Sequence, residues 1–170
     1  MRLFAAVALA GLALATPAFA ADVAVRPMAV ESALQEKFTD DYGEREIAIL
    51  QRTVARALER ELKQAGATLA DDAPLTVETT LVDVKPSRPT FQQAADRPGL
   101  DTLRSISVGG AELRARILGA DGAVVKEIAY EWYETDLAFS NAITTWADAE
   151  RAIRRFAHKV GDAYAAAPAS

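Results

Sequence analysis

Apolar and polar positions along the chain follow two periods, and they alternate from segment to segment. From Glu44 to Ala65, Ile47, Leu50, Val54, Leu58, Leu62 and Ala65 recur at three- and four-residue steps, the stripe of an amphipathic helix. Asp40 or Asp41 is the expected N-cap, Glu44 and Glu46 sit in the first turn, and Gly66 supplies the stop. A second stripe, Trp146, Ala149, Ile153, Phe156, Val160 and Tyr164, predicts a helix from about Trp146 to Ala165, capped by Thr144 or Thr145. Between and before these helices the period drops to two. LTVETTLVDVK (75–85) alternates Leu75, Val77, Thr79 and Leu81 against Thr76, Glu78 and Thr80, then changes phase at Leu81-Val82, which predicts a strand with a bulge or with both faces buried near its end.

LRSISVGGAELRARIL (103–118) and AVVKEIAYEWYE (123–134) flank GADG, a turn ending in Asp-Gly, and predict a hairpin. The Gly109-Gly110 pair inside the first of these segments reads as a bulge or sharp bend. DVAVRPMAV (22–30) alternates around Arg26-Pro27, and a proline cannot donate to a ladder. The segment is therefore an edge strand or a strand interrupted by a bulge. ESALQEKFTDDYG, which follows it, reads as a polar connection.

The order β-α-β-β-β-α predicts an α+β fold: a two-layer sandwich with a mixed, mostly antiparallel four-stranded sheet and two helices on one face. In it Tyr130, Trp132, Trp146 and Phe156 are expected to meet between sheet and helices. One segment fits neither period. KPSRPTFQQAADRPGLD (85–101) carries three prolines and a lone phenylalanine, and a loop of that length in a compact domain is usually functional or mobile. Its prolines stiffen it for presenting Lys85, Arg88, Phe91 and Gln92 to a partner. The alternative is a cover over a sheet edge, with Phe91 tucked into the core.

The N-terminus changes the picture of compartment. Arg2, an apolar run from Leu3 to Ala15 and the A-x-A of Ala18-Phe19-Ala20 make a signal peptide over residues 1–20, so the mature chain is expected to begin at Ala21 in the periplasm. Residues 21–165 suit one domain and 166–170 a frayed tail. With no cysteine there is no lipidation site and no disulfide, and no later segment approaches the apolar length of a membrane span. Losing Arg2 takes Lys+Arg from 19 to 18 against 24 Asp+Glu, a net charge of −6, which argues against nucleic acid as a partner.

Candidate chemistry is sparse. The one imidazole, His158, falls opposite the Ile153/Phe156/Val160 stripe among basic residues, so it faces solvent, and one histidine makes neither a zinc site nor a convincing triad. The carboxylates of Asp40-Asp41, Glu44 and Glu46, of Asp71-Asp72, and of Glu131, Glu134 and Asp136 lack the spacing of a calcium loop. No catalytic, metal or cofactor residue is assigned. The helices, by contrast, turn basic faces outward in an acidic chain: Arg52 and Arg56 on the first, Arg151 and Arg155 on the second. An anionic envelope component is a fitting partner for such faces, and a solvated surface is the plainer account.

EKFTDDYGERE (36–46), LTVETTLVDVKPSRP and ADGAVVKE resemble the pattern of small proteobacterial secreted families of unknown function. The likeness stops short of Phe139 onwards, implies export and an α/β fold, and brings no activity with it. The expectation is therefore a periplasmic, cofactor-free binding or accessory domain that contacts an envelope protein or an anionic envelope component through the 85–101 loop and the basic helix faces. Alternatives are a carboxylate-dependent hydrolase and a structural subunit that joins an envelope assembly by adding an edge strand.

Overall fold

The computed structural model describes residues 22–140 and 142–167; the expected signal peptide and the last three residues of the expected tail lie outside them. The described residues form five strands and four α-helices: β1 (Val23–Val25), β2 (Ala29–Val30), α1 (Ser32–Lys37), α2 (Arg45–Gln64), β3 (Leu75–Lys85), α3 (Phe91–Asp96), β4 (Gly110–Leu118), β5 (Val124–Tyr133) and α4 (Ala147–Ala165). β1 and β2 both pair parallel with β3, and β3, β4 and β5 follow as an antiparallel meander. The expected α+β sandwich with a mixed sheet is therefore the fold. Its first strand is split in two at Arg26-Pro27, where the missing donor interrupts the ladder on the edge.

Period two along β3 and β4 puts Leu75, Val77, Leu81, Val84, Ala111, Leu113, Ala115 and Ile117 on one face, all buried. Leu50, Val54, Leu58 and Leu62 of α2 and Ile153, Phe156 and Val160 of α4 close over that face. Each such side chain contributes about 1.5–3 kcal/mol by leaving water. The phase change in β3 is a bulge between Leu81 and Asp83, which keeps Val84 inside and turns Asp83 and Lys85 to the open face. α2 ends in a Schellman turn: Ala67 N–H donates to Leu62 O at 2.9 Å and Gly66 N–H to Lys63 O at 3.1 Å, with Gly66 at φ +90°.

Several expectations are corrected. The connection 31–43 is not a plain polar loop but α1 followed by a wide helical turn, Phe38–Tyr42, that buries Leu34, Phe38 and Tyr42 at four-residue steps. The 85–101 segment contains α3, opened by a capping box in which Thr90 Oγ1 accepts from Gln93 N–H and the Gln93 side chain accepts from Thr90 N–H. Neither Asp40 nor Asp41 caps α2 and neither Thr144 nor Thr145 caps α4; Asp41 instead accepts from Gln93 at 2.8 Å and from Arg97 at 2.6 Å. β4 begins at Gly110, so residues 103–109 are not strand. Trp146 and Phe156 are buried, Trp146 against Phe38 and Tyr42, but Tyr130 and Trp132 are only half-buried, because β5 is the edge strand and α4 alone covers its inner face. No helix among the described residues is long and apolar enough to cross a membrane.

Candidate functional site

Buried polar groups in this fold gather where β3 ends, β4 begins and α4 starts. Asp148, in the first turn of α4 and fully buried, accepts through Oδ2 from Ser87 Oγ at 3.0 Å, Gly109 N–H at 3.2 Å and Ser140 Oγ at 2.8 Å. Its own N–H donates to Ser87 Oγ at 3.1 Å. Three separate segments, 86–90, 105–109 and 139–148, thus converge on one carboxylate. Ser87 N–H donates to Thr145 O at 2.7 Å and Ser107 N–H to Ser87 O at 2.9 Å, and Ser107 O, also 2.8 Å from Ser140 Oγ, shares that hydroxyl's one proton with Asp148. Ser87 and Asp148 are both fully buried, and their polar atoms are satisfied only in a single arrangement of those segments, which makes the latch rigid.

Arg88 extends the latch outward. Its Nε donates to Ala142 O and its Nη1 to Leu103 O, so one guanidinium bridges the loop before β4 to the loop after β5. On the surface of those two bridged loops stand Leu103 (80% exposed), Ile143 (79%) and Phe139 (68%), with Ile106 and Leu137 about half exposed. Their backbones are held locally as well. Asp101 Oδ1 accepts from Leu103 N–H and Arg104 N–H, and Asp136 Oδ1 from Ala138 N–H. Five large apolar side chains thus stand exposed on a braced support, and exposed apolar side chains gathered on one part of a surface are what interaction sites present. Beside it, Tyr42, Pro86, Pro89, Leu100 and Ile106 line a groove of about 400 Å³ with Lys85 at its wall.

The residues singled out from sequence are dispersed. Arg88 is spent on the brace. Lys85 lies over the Tyr133 ring at 5.0 Å, Gln92 donates to Thr39 O at 3.3 Å, and Phe91 is exposed beneath the Arg45 guanidinium at 5.7 Å rather than tucked into the core. Arg52 and Arg56 are exposed on α2, where Arg56 Nε donates to Arg52 O. Arg151 and Arg155 lean instead towards β5, over Trp132 at 5.2 and 4.6 Å, and Arg151 pairs with Glu134 at 3.2 Å. His158 is exposed and pairs with Asp162 at 3.2 Å. The sequence pattern assigns Leu103 and Ile106 to the first strand of the hairpin, and the apolar residues at 137, 139 and 143, isolated in an irregular segment, carry no period.

Two tyrosines bond to the end of β3, Tyr133 across the open sheet face and Tyr42 from the core, where its O–H donates to Val84 O at 3.2 Å. Tyr133 O–H donates to Asp83 Oδ2 at 2.9 Å, and burial together with that bond pushes its phenol far above the usual range. Burial, then the charges of Asp83 and Asp41, raises Tyr42 to about 12. A phenol held neutral by the fold contributes stability below the unfolded pKa of about 10 and loses it as pH rises through the folded value. Absorbance at 295 nm should show these two tyrosines ionising only from about pH 12 upward, together with unfolding; ionisation near pH 10 without unfolding would contradict the burial of both rings.

The larger groove of the open face, about 470 Å³, runs between Glu31, Glu78, Thr80, Arg114, Arg116 and Glu127, where Arg116 pairs with Glu78 at 2.8 Å. Among the described residues no group of three or more His, Asp or Glu converges as a metal-ligating set.

A two-layer α+β module with a braced apolar pole is the class that this geometry defines. No family model matches the chain, and no curated protein does. Solved structures are similar to it. A hypothetical protein of Chlamydia trachomatis superposes with a TM-score of 0.50 at 12% identity, over 85% of this chain and 98% of that one. PelC of Paraburkholderia phytofirmans, described as a dodecamer, gives 0.49 at 16% identity over 91% and 94%. A Xanthomonas campestris protein of the DUF330 family, a domain of unknown function, gives 0.46 at 14% over 86% and 85%. The first of these, at 12% identity, shares the fold and carries no activity.

Proposed function

We propose that this is an exported binding or accessory domain, cleaved before Ala21 and working in the periplasm through residues 21–165, that docks an envelope protein with its apolar pole. The observation that carries the reading is the set Leu103, Phe139 and Ile143, mostly exposed on two loops that Arg88 and Asp148 lock together. A support that is already ordered does not pay to become ordered on binding, so its apolar side chains contribute their full desolvation to a partner. The pole replaces most of the loop presentation expected from the sequence: Arg88 braces the surface and does not offer itself to it.

A photo-reactive amino acid at position 139 or 143, in cells that produce the protein, should yield a discrete heavier adduct, and the same probe at Glu59 on α2 should not. Equal patterns from all three positions, or none, would remove the pole from the proposal. Phe139→Asp and Ile143→Asp should each abolish the adduct formed from the neighbouring position while leaving the unfolding free energy measured in urea within about 0.5 kcal/mol of the parent, as exposed substitutions do.

A further inference from the structure

The two edges of the sheet are treated differently. On one side, β1 and β2 are three and two residues long, broken at Arg26-Pro27, and the 68–70 segment bonds to Val23 from outside. On the other side β5 runs ten residues without a proline, and among the described residues Val124–Tyr133 make no backbone hydrogen bond outside the pairing with β4. Long open edges are avoided or defended in natural sheets.

The flank of this edge is organised by charge. Lys126, Ile128, Tyr130 and Trp132 share the face that looks towards α4, being paired with Ile117, Ala115, Leu113 and Ala111. α4 lays Arg155 over Trp132 at 4.6 Å and Lys159 over Tyr130 at 5.6 Å. Four residues of helix advance about 6 Å, and two residues of strand advance about 6.6 Å, so the cations keep step with alternate positions of the strand. Among the described residues Lys126, Arg155 and Lys159 form no ion pair, and all three are exposed. The opposite face of the same edge carries Glu127 and Glu131.

We propose that the outer edge of β5 receives an extended segment of a partner protein, added as a further strand, with Asp or Glu at alternate positions facing α4. Backbone pairing supplies the affinity and the cation row sets which face the acidic side chains take. A second copy of this chain is a poor occupant. Antiparallel pairing of two β5 edges about a two-fold axis keeps like faces together and brings Lys126, Arg155 and Lys159 against their own counterparts. The inference stands apart from the apolar pole, and either can fail without the other.

Trp132 is its own reporter, because the only other tryptophan, Trp146, is buried and bonded to Glu46. The purified chain should be titrated with a blocked ten-residue peptide that alternates glutamate with valine and threonine. The expected result is a saturable change in Trp132 emission with slowed amide exchange along 124–133, at least tenfold weaker binding for Arg155→Glu/Lys159→Glu, and no change with a lysine-for-glutamate peptide. Failure to saturate below millimolar peptide overturns the proposal, as does equal binding of the lysine peptide. So does a tetragalacturonate titration that matches the glutamate peptide while the amides stay unprotected, since that response is charge attraction without a strand.

Discussion

Replacing Asp148 with alanine is expected to cost at least about 3 kcal/mol, a large share of the roughly 5–15 kcal/mol that holds a domain of this size. The carboxylate's Oδ2 answers Ser87 Oγ, Gly109 N–H and Ser140 Oγ at once, and Asp148 is fully buried. Its loss strands two buried donors, Ser87 Oγ–H and Gly109 N–H, while the half-exposed Ser140 hydroxyl keeps Ser107 O as an acceptor; each unmet donor costs about 1–3 kcal/mol, though not additively. The position in the first turn of α4 adds the favourable meeting of a carboxylate with a helix N-terminus. Asparagine keeps one acceptor in place and should lose about half as much. The check is a urea titration together with amide exchange. A latch predicts that exchange quickens first in 86–90, 105–109 and 139–145, with the sheet centre slower to follow. If Asp148→Ala stayed within 1 kcal/mol of the parent, the three segments would be held by something other than this carboxylate.

The latch also explains what was legible beforehand and what was not. Stripes in α2 and α4 and the alternation in β3 and β4 were plain, because each of these elements buries one continuous face and a buried face writes its period into the chain. α1 is hard to read although Leu34, Phe38 and Tyr42 stand four apart, since its single buried row is surrounded by polar residues and the turn widens at Phe38–Tyr42. α3 is announced by Thr90 and Gln93 at capping-box spacing, but the prolines on either side carry the pattern of a loop. Asp148 looked like an ordinary first-turn acid. Nothing local distinguishes it from Glu150, and its partners lie 8, 39 and 61 positions away. The candidate residues fared similarly. Arg88 looked free in a proline-rich stretch, and only the fold reveals two carbonyls from other loops within its reach. Trp132 and Tyr130 were correctly placed on the inner face of β5, but their partners are cations, because the edge of a sheet is where a helix can cover aromatic rings with long basic side chains and still keep the charges wet.

Gly110→Val is expected to be more damaging still, and to leave little folded protein. Gly110 begins β4, opposite Tyr133 on one side and Lys85 on the other. A Cβ there would stand 2.5 Å from Tyr133 Cα and 2.6 Å from Tyr133 Cδ1, and closer yet to the carbonyl oxygen of Trp132. Two of these three atoms are backbone, so no rotamer change relieves the contact and β5 must move as a whole. The reason for the close approach is on the open face. With no side chain on β4, the Tyr133 ring crosses the strand, its hydroxyl reaches Asp83 on β3, and the Lys85 ammonium covers the ring at 5.0 Å. Neither Gly109 nor Gly110 has a positive φ, so the pair is no bend; it is space reserved for neighbours. Alanine at 110 already meets the backbone and should cost about 4 kcal/mol or more, where Gly119→Ala, whose nearest neighbour is the movable Asp121 carboxylate at 3.1 Å, should cost about 1 kcal/mol. Tyr133→Ala in the Gly110→Ala background should recover only a small part of the loss, because it clears the ring and leaves the main chain where it was. Full recovery in a urea titration would show that the ring alone fills the gap and that β4 and β5 have room to separate.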